Sequence, residues 1–288
     1  MRIAGAPISW GVCEVPDWGV QLAPDRVLRE MRELGLEATE FGPQGWLPEA
    51  PLERSAVLRD AGLQAVGAFV PVLLHDADHD PVPGVARELD AFDAAGGDTL
   101  VLAAATGTDG YDARPTLTDE QWSTLLTNLD RLVDLAVSRN IRPTLHPHVG
   151  TLVETRDDVV RVLAGSKVPL CLDTGHLLIG GTDPVELARE YPDRITHVHA
   201  KDVSTAIAER VRSGEISYTD AVRHGIYVPL GTGDVDFATI VSVLTAAGYD
   251  GWYVLEQDTI LTEQPEDGAG PVSDVAASIQ YLRSLQAT

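Results

Sequence analysis

"IRPTLHPHVGTLVETRDDVVRVLA" (residues 141–164) joins a short apolar run to a longer amphipathic one. The first run, 141–146, is apolar on both faces, which is typical of a buried strand in a parallel sheet. The second run, 155–164, has apolar residues at helical spacing. The stretch therefore predicts one strand followed by one helix, the unit from which parallel α/β folds are built.

Seven further stretches of the chain repeat this unit, and turn signals separate them. Pro24 and Gly35 bracket the first helix, and Thr118 is the expected N-cap of the fourth. The predicted strands are 3–10, 36–41, 63–70, 99–105, 141–146, 168–173, 195–200 and 251–256. The predicted helices are 24–34, 51–61, 81–95, 118–139, 155–164, 183–191, 236–247 and 272–286.

Eight strand–helix units in 288 residues predict the fold class directly. A closed (β/α)8 barrel uses roughly 250 residues as one domain. A doubly wound dinucleotide-binding sheet would place G-x-G-x-x-G after the first strand, and this chain has "ISWGVCEVPDWG" there. We therefore predict an α/β fold, a single-domain (β/α)8 TIM barrel over 1–288. An irregular excursion at 203–235 is expected over the barrel mouth.

Composition narrows the class of partner. The chain carries 21 basic and 44 acidic residues, a formal net charge of -23. Nucleic acids and anionic membranes bind to positively charged patches, so neither is an expected partner of this acidic chain. The expected partner is a small molecule. The two cysteines, Cys13 and Cys171, imply no disulfide framework. No apolar run approaches the ~20 residues of a membrane span, and no signal peptide is evident, so we expect a cytoplasmic protein.

The eight histidines are distributed unevenly on this strand map. Each lies in the C-terminal half of a strand or in the segment that follows it, the end where such barrels build active sites. Strands five to eight end in His146 or His148, Asp173, His199 and Glu256. Two imidazoles and two carboxylates on neighbouring strand ends suit a divalent ion such as Mn, Co, Fe or Zn. The alternative is a set of structural strand-end residues, with Asp173 capping a helix.

Other residues near these strand ends have weaker signals. His176 follows Gly175 over the mouth, and Lys201 and Asp202 follow His199, where a solvated ion pair is the alternative. Cys171 is expected in the core, whereas Cys13 lies nearer the mouth. Trp18 and Trp46 are expected either to form an apolar wall for a sugar ring or to pack ordinary loops.

Three motifs, "LDTGH" (172–176), "HVHAKD" (197–202) and "GWYVLEQD" (251–258), resemble the xylose-isomerase-like sugar isomerase/epimerase superfamily of metal-dependent barrels. Four more stretches are similar to its inosose dehydratases (2-keto-myo-inositol dehydratases). They are "APISW" (6–10), "TEFG" (39–42), "HPHVGT" (146–151) and "HGIYVPLGTGDVDF" (224–237). Together the motifs run through nearly the whole chain.

The resemblance implies a ligand set and a chemistry. The implied ligands are His146, Asp173, His199 and Glu256, with Mn or Co as the expected ion and Zn, Fe or Mg as alternatives. The implied reaction is metal-dependent removal of water from a polyhydroxylated cyclic ketone through an enediolate. The epimerase branch normally has glutamate where this chain has His146, and losing one of two carboxylates favours elimination over epimerisation.

The resemblance also implies individual roles. Glu256 is expected to take the α-proton, His148 or His176 to protonate the departing hydroxyl, and Lys201 to contact the enolate oxygen. Substrate contacts are expected from Trp10, Glu40, His176 and Asp202.

The chain departs from the inosose dehydratases at Pro147, inside "HPH" where they have H-H-H, and in the stretches after "SWG" and before Gln257. These departures lie at the mouth and concern substrate identity. The alternative function is a ketose 3-epimerase or isomerase. Cleavage of phosphate esters is disfavoured by the net negative charge of the chain. A non-enzymatic barrel is disfavoured by the presence of the full ligand set. The sequence does not decide whether the protein forms a homodimer.

Overall fold

A single closed sheet organises the protein. The computed structural model describes residues 1–286, and its main sheet contains nine strands, all paired in parallel. In chain order the strands are β1 (Arg2–Gly5), β2 (Ala38–Thr39), β3 (Gln64–Ala65), β4 (Gly67–Leu73), β5 (Thr99–Ala105), β6 (Arg142–Leu145), β7 (Leu170–Asp173), β8 (Ile195–Ala200), β9 (Asp202–Val203), β10 (Tyr227–Val228) and β11 (Trp252–Leu255). All except β9 and β10 belong to the main sheet.

The order of strands closes the sheet into a barrel. Neighbours run β3, β2, β1, β11, β8, β7, β6, β5, β4, so β3 and β4 stand at the two ends of this order. Only Val66 separates them in the chain. Its N–H donates to the Thr39 carbonyl on one side, and its carbonyl accepts from Asp98 and Thr99 on the other. One chain segment therefore joins both ends, and the predicted (β/α)8 TIM barrel is confirmed.

Helices cover the outside of the barrel. They are α1 (Pro24–Glu33), α2 (Pro51–Ala61), α3 (Val82–Ala95), α4 (Asp119–Ser138), α5 (Arg156–Gly165), α6 (Thr174–Ile179), α7 (Pro184–Glu190), α8 (Thr205–Arg212), α9 (Tyr218–Arg223), α10 (Phe237–Ala246) and α11 (Pro271–Leu285). Short 3-10 turns occupy Pro7–Trp10 and Pro192–Arg194. Within residues 1–286, no helix combines the length and apolar character that crossing a membrane requires.

Local signals explain most helix boundaries. Thr118 caps α4 as predicted. Its side-chain hydroxyl accepts a hydrogen bond from the Gln121 N–H, and the Gln121 side-chain carbonyl accepts one from the Thr118 N–H. Thr155 and Asp158 form the same reciprocal pair at the start of α5. α2 ends at Gly62, which adopts the left-handed conformation with φ 72° that favours glycine.

Several element bounds differ from the predictions. The first strand ends at Gly5 rather than residue 10, because Pro7–Trp10 turns into a 3-10 helix. The second is confined to Ala38–Thr39, and the third is divided at Val66 into β3 and β4, which continues to Leu73 beyond the predicted residue 70. The sequence also gave no sign of α6, a six-residue helix that begins directly after β7.

The segment predicted as an irregular excursion contains two helices, and a pair of short antiparallel strands closes its base. β9 and β10 pair antiparallel, with Tyr227 opposite Val203, and α8 and α9 lie between them in the chain. The α9 end of this segment reaches the barrel mouth, because Tyr218 contacts Asp258 after β11.

Candidate active site at the barrel mouth

Four side chains of metal-ligating type converge where strands of the barrel end. His146 follows β6, Asp173 ends β7, His199 lies near the end of β8, and Glu256 follows β11. One ligand atom from each lies within 4.8 Å of the others. His146 Nε2 is 2.9 Å from Asp173 Oδ2, and His199 Nδ1 is 3.1 Å from Glu256 Oε2 and 3.6 Å from Asp173 Oδ2.

These separations and the surrounding polar atoms fit a divalent cation. Ligand atoms bonded at about 2.1 Å to one ion lie about 3.0–3.4 Å apart. His199 Nδ1 is fully buried and lacks a hydrogen-bond partner of good geometry among the described residues. Its other nitrogen, Nε2, is 3.0 Å from Glu40 Oε1, the outer carboxylate contact that orients ligating imidazoles. The four residues can hold a metal ion.

The pKa values of the cluster agree with a site for positive charge. Burial lowers the pKa of His146, which keeps its imidazole in the neutral form that binds metals. Burial alone would lower the pKa of His199, but Cys171, Glu256 and Glu40 outweigh it and raise the pKa well above its usual range. The cluster therefore carries more negative charge than its own groups neutralise, which favours either a proton or a cation.

Asp173 both caps a helix and lines the ligand cluster, but the helix is α6 (Thr174–Ile179) and not the predicted helix 183–191, which Asp183 caps. Its Oδ1 accepts the His176 N–H and caps α6, while its Oδ2 faces His146. Burial alone would raise the pKa of Asp173, but Lys201 and His176 outweigh it and hold the pKa well below its usual range. The aspartate is therefore a carboxylate that both starts a helix and lines the ligand cluster.

Lys201 is fully buried among acceptors. Its Nζ lies 2.6 Å from Asp258 Oδ1, 3.0 Å from Glu256 Oε2 and 3.0 Å from His176 Nε2. Burial alone would lower the pKa of Lys201, but Asp173, Asp258 and Glu256 outweigh it and raise the pKa well above its usual range. Lys201 is thus a fixed ammonium whose three N–H donors all have acceptors within reach.

Two histidines stack beside the ligand cluster. The ring centroids of His148 and His176 are 3.7 Å apart, and Tyr111 covers His148 with a centroid separation of 4.2 Å. His148 lines the cavity at the mouth, whereas His176 lies behind it and is not among the cavity-lining residues. Burial, His146 and Lys201 hold the pKa of His148 well below its usual range.

The cavity combines barrel residues with residues from the loops above. The ends of the barrel strands contribute Glu40, His146, His148, Lys201, Glu256 and Asp258, strand β4 contributes Phe69, helix α9 contributes Tyr218, and the loops contribute Cys13, Glu14, Trp18 and Tyr111. Carboxylate, imidazole and ammonium groups therefore line the cavity together with aromatic rings. Such a cavity suits a small polyhydroxylated molecule.

The model of the xylose isomerase-like TIM barrel family matches residues 28–285. The chain belongs to this family. Among its relatives, an inosose dehydratase of Geobacillus kaustophilus is 33% identical, with 99% of this chain and 94% of that protein covered. The "Rhizopine catabolism protein MocC" of Rhizobium meliloti is also 33% identical, covering 100% of this chain and 89% of that protein.

Solved structures of the family share the fold at lower identity. L-ribulose 3-epimerase gives a TM-score of 0.70 at 17% identity, covering 99% of this chain and 94% of that one. A probable 3-DHS dehydratase from Bacillus anthracis gives 0.69 at 17%, covering 98% and 99%. The relatives are named as enzymes, and this member of the family is likewise an enzyme.

The structure places three of the four expected substrate contacts outside the cavity lining: His176, which stacks behind His148, and Trp10 and Asp202. Trp10 is fully buried, and its indole Nε1 donates to Glu30 Oε2 at 2.8 Å. The Asp202 carboxylate accepts the N–H groups of Val203, Gly231, Gly233 and Val235, at 2.8–3.0 Å. Both side chains are committed to the protein itself, so we correct the expectation that either contacts substrate.

The remaining expected residues divide by position. Glu40 lines the cavity, but its Oε1 bridges His197 and His199 at 3.0 Å each, so it supports the imidazoles from outside the cluster. Trp18 lines the cavity and Trp46 does not. Cys171 is buried, and burial raises its pKa to about 11. Cys13 lines the cavity, and burial raises the pKa of its thiol further still.

Sequence reasoning missed Asp258 and the tyrosines around it. Tyr218 Oη donates to Asp258 Oδ2 at 2.7 Å and lies 3.0 Å from Tyr227 Oη. Burial raises the pKa of Asp258 despite the neighbouring Lys201. A signal for Asp258 was present, because residues two apart in an extended chain face the same way, and Glu256 is two residues earlier. No local sequence pattern indicated Tyr218, which lies in the segment 203–235 and reaches the site only when that segment folds over the barrel mouth.

Proposed function

We propose that this enzyme is a metal-dependent dehydratase that removes water from an inosose-type cyclic ketone. The observation that carries the proposal is the four-ligand cluster, two of whose members, His146 and Glu256, line one cavity together with His148 and Lys201. Near-full-length similarity to inosose dehydratases supports the choice of substrate class. The two expected substrate contacts that proved structural, Trp10 and Asp202, are left out of the proposed site.

Proton removal is assigned to Glu256. Burial alone would raise the pKa of Glu256, but His199 and Lys201 outweigh it and lower the pKa, so the side chain rests as a carboxylate. It lines the cavity and can reach a bound ring. The carboxylate takes the proton from the carbon beside the ketone, and the C–H electrons form the carbon–carbon double bond of an enediolate.

The departing hydroxyl takes its proton from His148 rather than His176. His148 lines the cavity, whereas His176 stacks behind it. The Nδ1–H of His148 donates to the Val149 carbonyl at 2.6 Å, so Nε2 is the nitrogen left to carry a proton to substrate. The lowered pKa keeps the resting ring neutral, so Nε2 takes up a proton from solvent before it protonates the departing hydroxyl, and Glu256 returns the abstracted proton to solvent after the product leaves. The carbon–oxygen bond breaks as the enediolate collapses, water leaves, and the resulting enol tautomerises to a diketone.

Two groups would stabilise the negative charge that develops on the ketone oxygen. Lys201 can contact the developing oxyanion if its Nζ exchanges one of its three present acceptors. A divalent ion held by His146, Asp173, His199 and Glu256 would supply Lewis acidity that polarises the ketone. Glu40 holds His199 in place through Nε2. Mn or Co is our first choice of ion.

The alternative is a sugar 3-epimerase using the same cluster. Solved structures of epimerases share the fold, at 15–17% identity for the sugar 3-epimerases and a 3-epimerase-like protein. The strand-end residue His146 favours the dehydratase, because epimerisation needs a base on one face of the substrate and an acid on the other, and His146 replaces one of the two carboxylates that serve those roles. Unchanged product mass would support the epimerase.

Variants at the two assigned residues test the mechanism. Glu256→Gln and His148→Asn should each lower kcat for dehydration of 2-keto-myo-inositol by about a hundredfold or more. His224→Asn is the matched control, because His224 is exposed on the surface and should leave the rate unchanged. Full activity in Glu256→Gln that still binds Mn²⁺ would remove Glu256 as the base.

A further inference from the structure

A second cavity adjoins the catalytic one at the barrel mouth. The two cavities share three lining residues, Glu14, Phe69 and Tyr111. From there the second cavity extends outward along the loop 105–111 and the turn at 150–151. We call it the outer cavity. A molecule bound at the ligand cluster would therefore have room beside it for a substituent.

The lining of the outer cavity specifies the chemistry of that substituent. Phe69, Pro71 and Tyr111 offer apolar faces, and Thr106 and Thr108 offer hydroxyl groups, whereas the Thr151 hydroxyl donates to the backbone. Among the described residues, no lysine or arginine lines the outer cavity, whereas two acidic residues, Glu14 and Asp109, do. An anionic group such as phosphate would be repelled, whereas a neutral sugar ring can lay its C–H face on an aromatic ring and use its hydroxyls elsewhere.

A hydrogen bond separates the two cavities. Tyr111 Oη donates to Glu14 Oε1, joining the loop after β1 to the loop after β5. The backbone of Tyr111 packs closely against Gly150, because a Cβ at Gly150 would lie 2.2 Å from the Tyr111 carbonyl oxygen. Asp112 adds a bond from the Thr219 N–H at 2.8 Å. The Glu14 side chain, in contrast, is exposed and can turn away.

We propose that the outer cavity is a subsite for a neutral sugar ring attached to the reacting cyclitol, with the Tyr111–Glu14 bond as its partition. The subsite rests on the proposed function, since it assumes that a cyclitol ring occupies the catalytic cavity. Glycosylated cyclitols are then a substrate class of the enzyme, and phosphorylated ones are not.

Calorimetric titration of the Mn²⁺-loaded protein tests the subsite with two unreactive probes. The probes are myo-inositol, a bare ring, and galactinol, the same ring carrying a neutral galactosyl group. Galactinol should bind about tenfold more tightly than myo-inositol, because only galactinol fills the outer cavity. Thr108→Trp should bring the ratio of the two Kd values close to one, and Thr116→Trp, on the same loop but outside the lining, should preserve it.

Tyr111→Phe removes the partition bond while keeping the ring over His148, and should raise the affinity for galactinol further. Binding of myo-inositol to each variant reports that the site has folded. Equal affinity for the two probes in the unaltered protein would overturn the subsite while leaving the dehydratase standing. Failure of both probes to bind, with other keto-sugars dehydrated, would overturn the cyclitol assignment and the subsite together.

Discussion

Trp10 shows how a side chain that looks functional in the sequence is structural in the fold. It belongs to the motif "APISW" at the end of the first strand, where substrate contacts are common. Its partner Glu30 lies 20 residues away on α1, and Arg26 holds the other Glu30 oxygen at 3.0 Å. No local pattern reveals that pairing, because it arises only when α1 packs beside β1.

Trp10→Phe should therefore cost stability and spare catalysis. The variant leaves the buried Glu30 carboxylate short of one donor, which costs about 1–3 kcal/mol of unfolding free energy. Urea unfolding measures that loss, and kcat/KM should stay within about twofold. Trp46→Phe is the control, because it loses only a bond to the neutral Leu22 carbonyl at a half-buried site, and its cost should be smaller. A large fall in kcat/KM at unchanged stability would return Trp10 to the substrate site.

Among the helices and strands, the sequence predicted those bounds that are set by residues close together in the chain. α2 and β5 have the predicted bounds, because residues within each element set its hydrophobic period and its ends. α6 was missed because it is short and its cap, Asp173, also ends a strand and carries the signal of a metal ligand. The convergence of four strand ends was predictable from barrel topology, whereas the Tyr218–Asp258 contact depends on how the excursion folds back.

Asp202 is the clearest case of one residue holding an element. Its two oxygens accept four backbone N–H groups, three of them from the segment 231–235. Gly233 is required there, because a Cβ would lie 2.3 Å from Asp202 Oδ1. The "HAKD" and "PLGTGDVD" stretches are therefore held together by the Asp202 carboxylate, which fixes the segment that leads into α10.

Asp202→Asn should loosen that segment. The amide NH₂ would face two backbone donors, so the variant should lose about 2 kcal/mol of stability. Hydrogen exchange measured by mass spectrometry should become faster across 229–235. Asp236→Asn is the control, because asparagine caps helices as well as aspartate does and α10 should be unaffected. Unchanged exchange in 229–235 would mean that Asp202 does not hold the segment.

For the whole molecule, we expect the balance of charge at the barrel centre to make stability depend on a bound cation. Asp173, Glu256 and Asp258 share one ammonium, Lys201, deep in the barrel. Mn²⁺ at a hundredfold excess over its Kd should add about 2.7 kcal/mol, or roughly 5 °C or more in Tm, and a chelator should reverse the gain. His146→Asn should lose most of the shift, and His79→Asn, a surface control, should keep it. A Tm insensitive to Mn²⁺ and chelator would argue against the metal site.

In the proposed reaction, groups of one cavity take a proton from a cyclic ketone and expel water from it. Mass spectrometry of 2-keto-myo-inositol incubated in D₂O with Mn²⁺-loaded protein, beside a chelated sample, measures this directly. We expect a product lighter by one water, formed only in the loaded sample. Deuterium incorporation without loss of water would contradict it, because the enzyme would then return the proton to its enediolate and act as an epimerase.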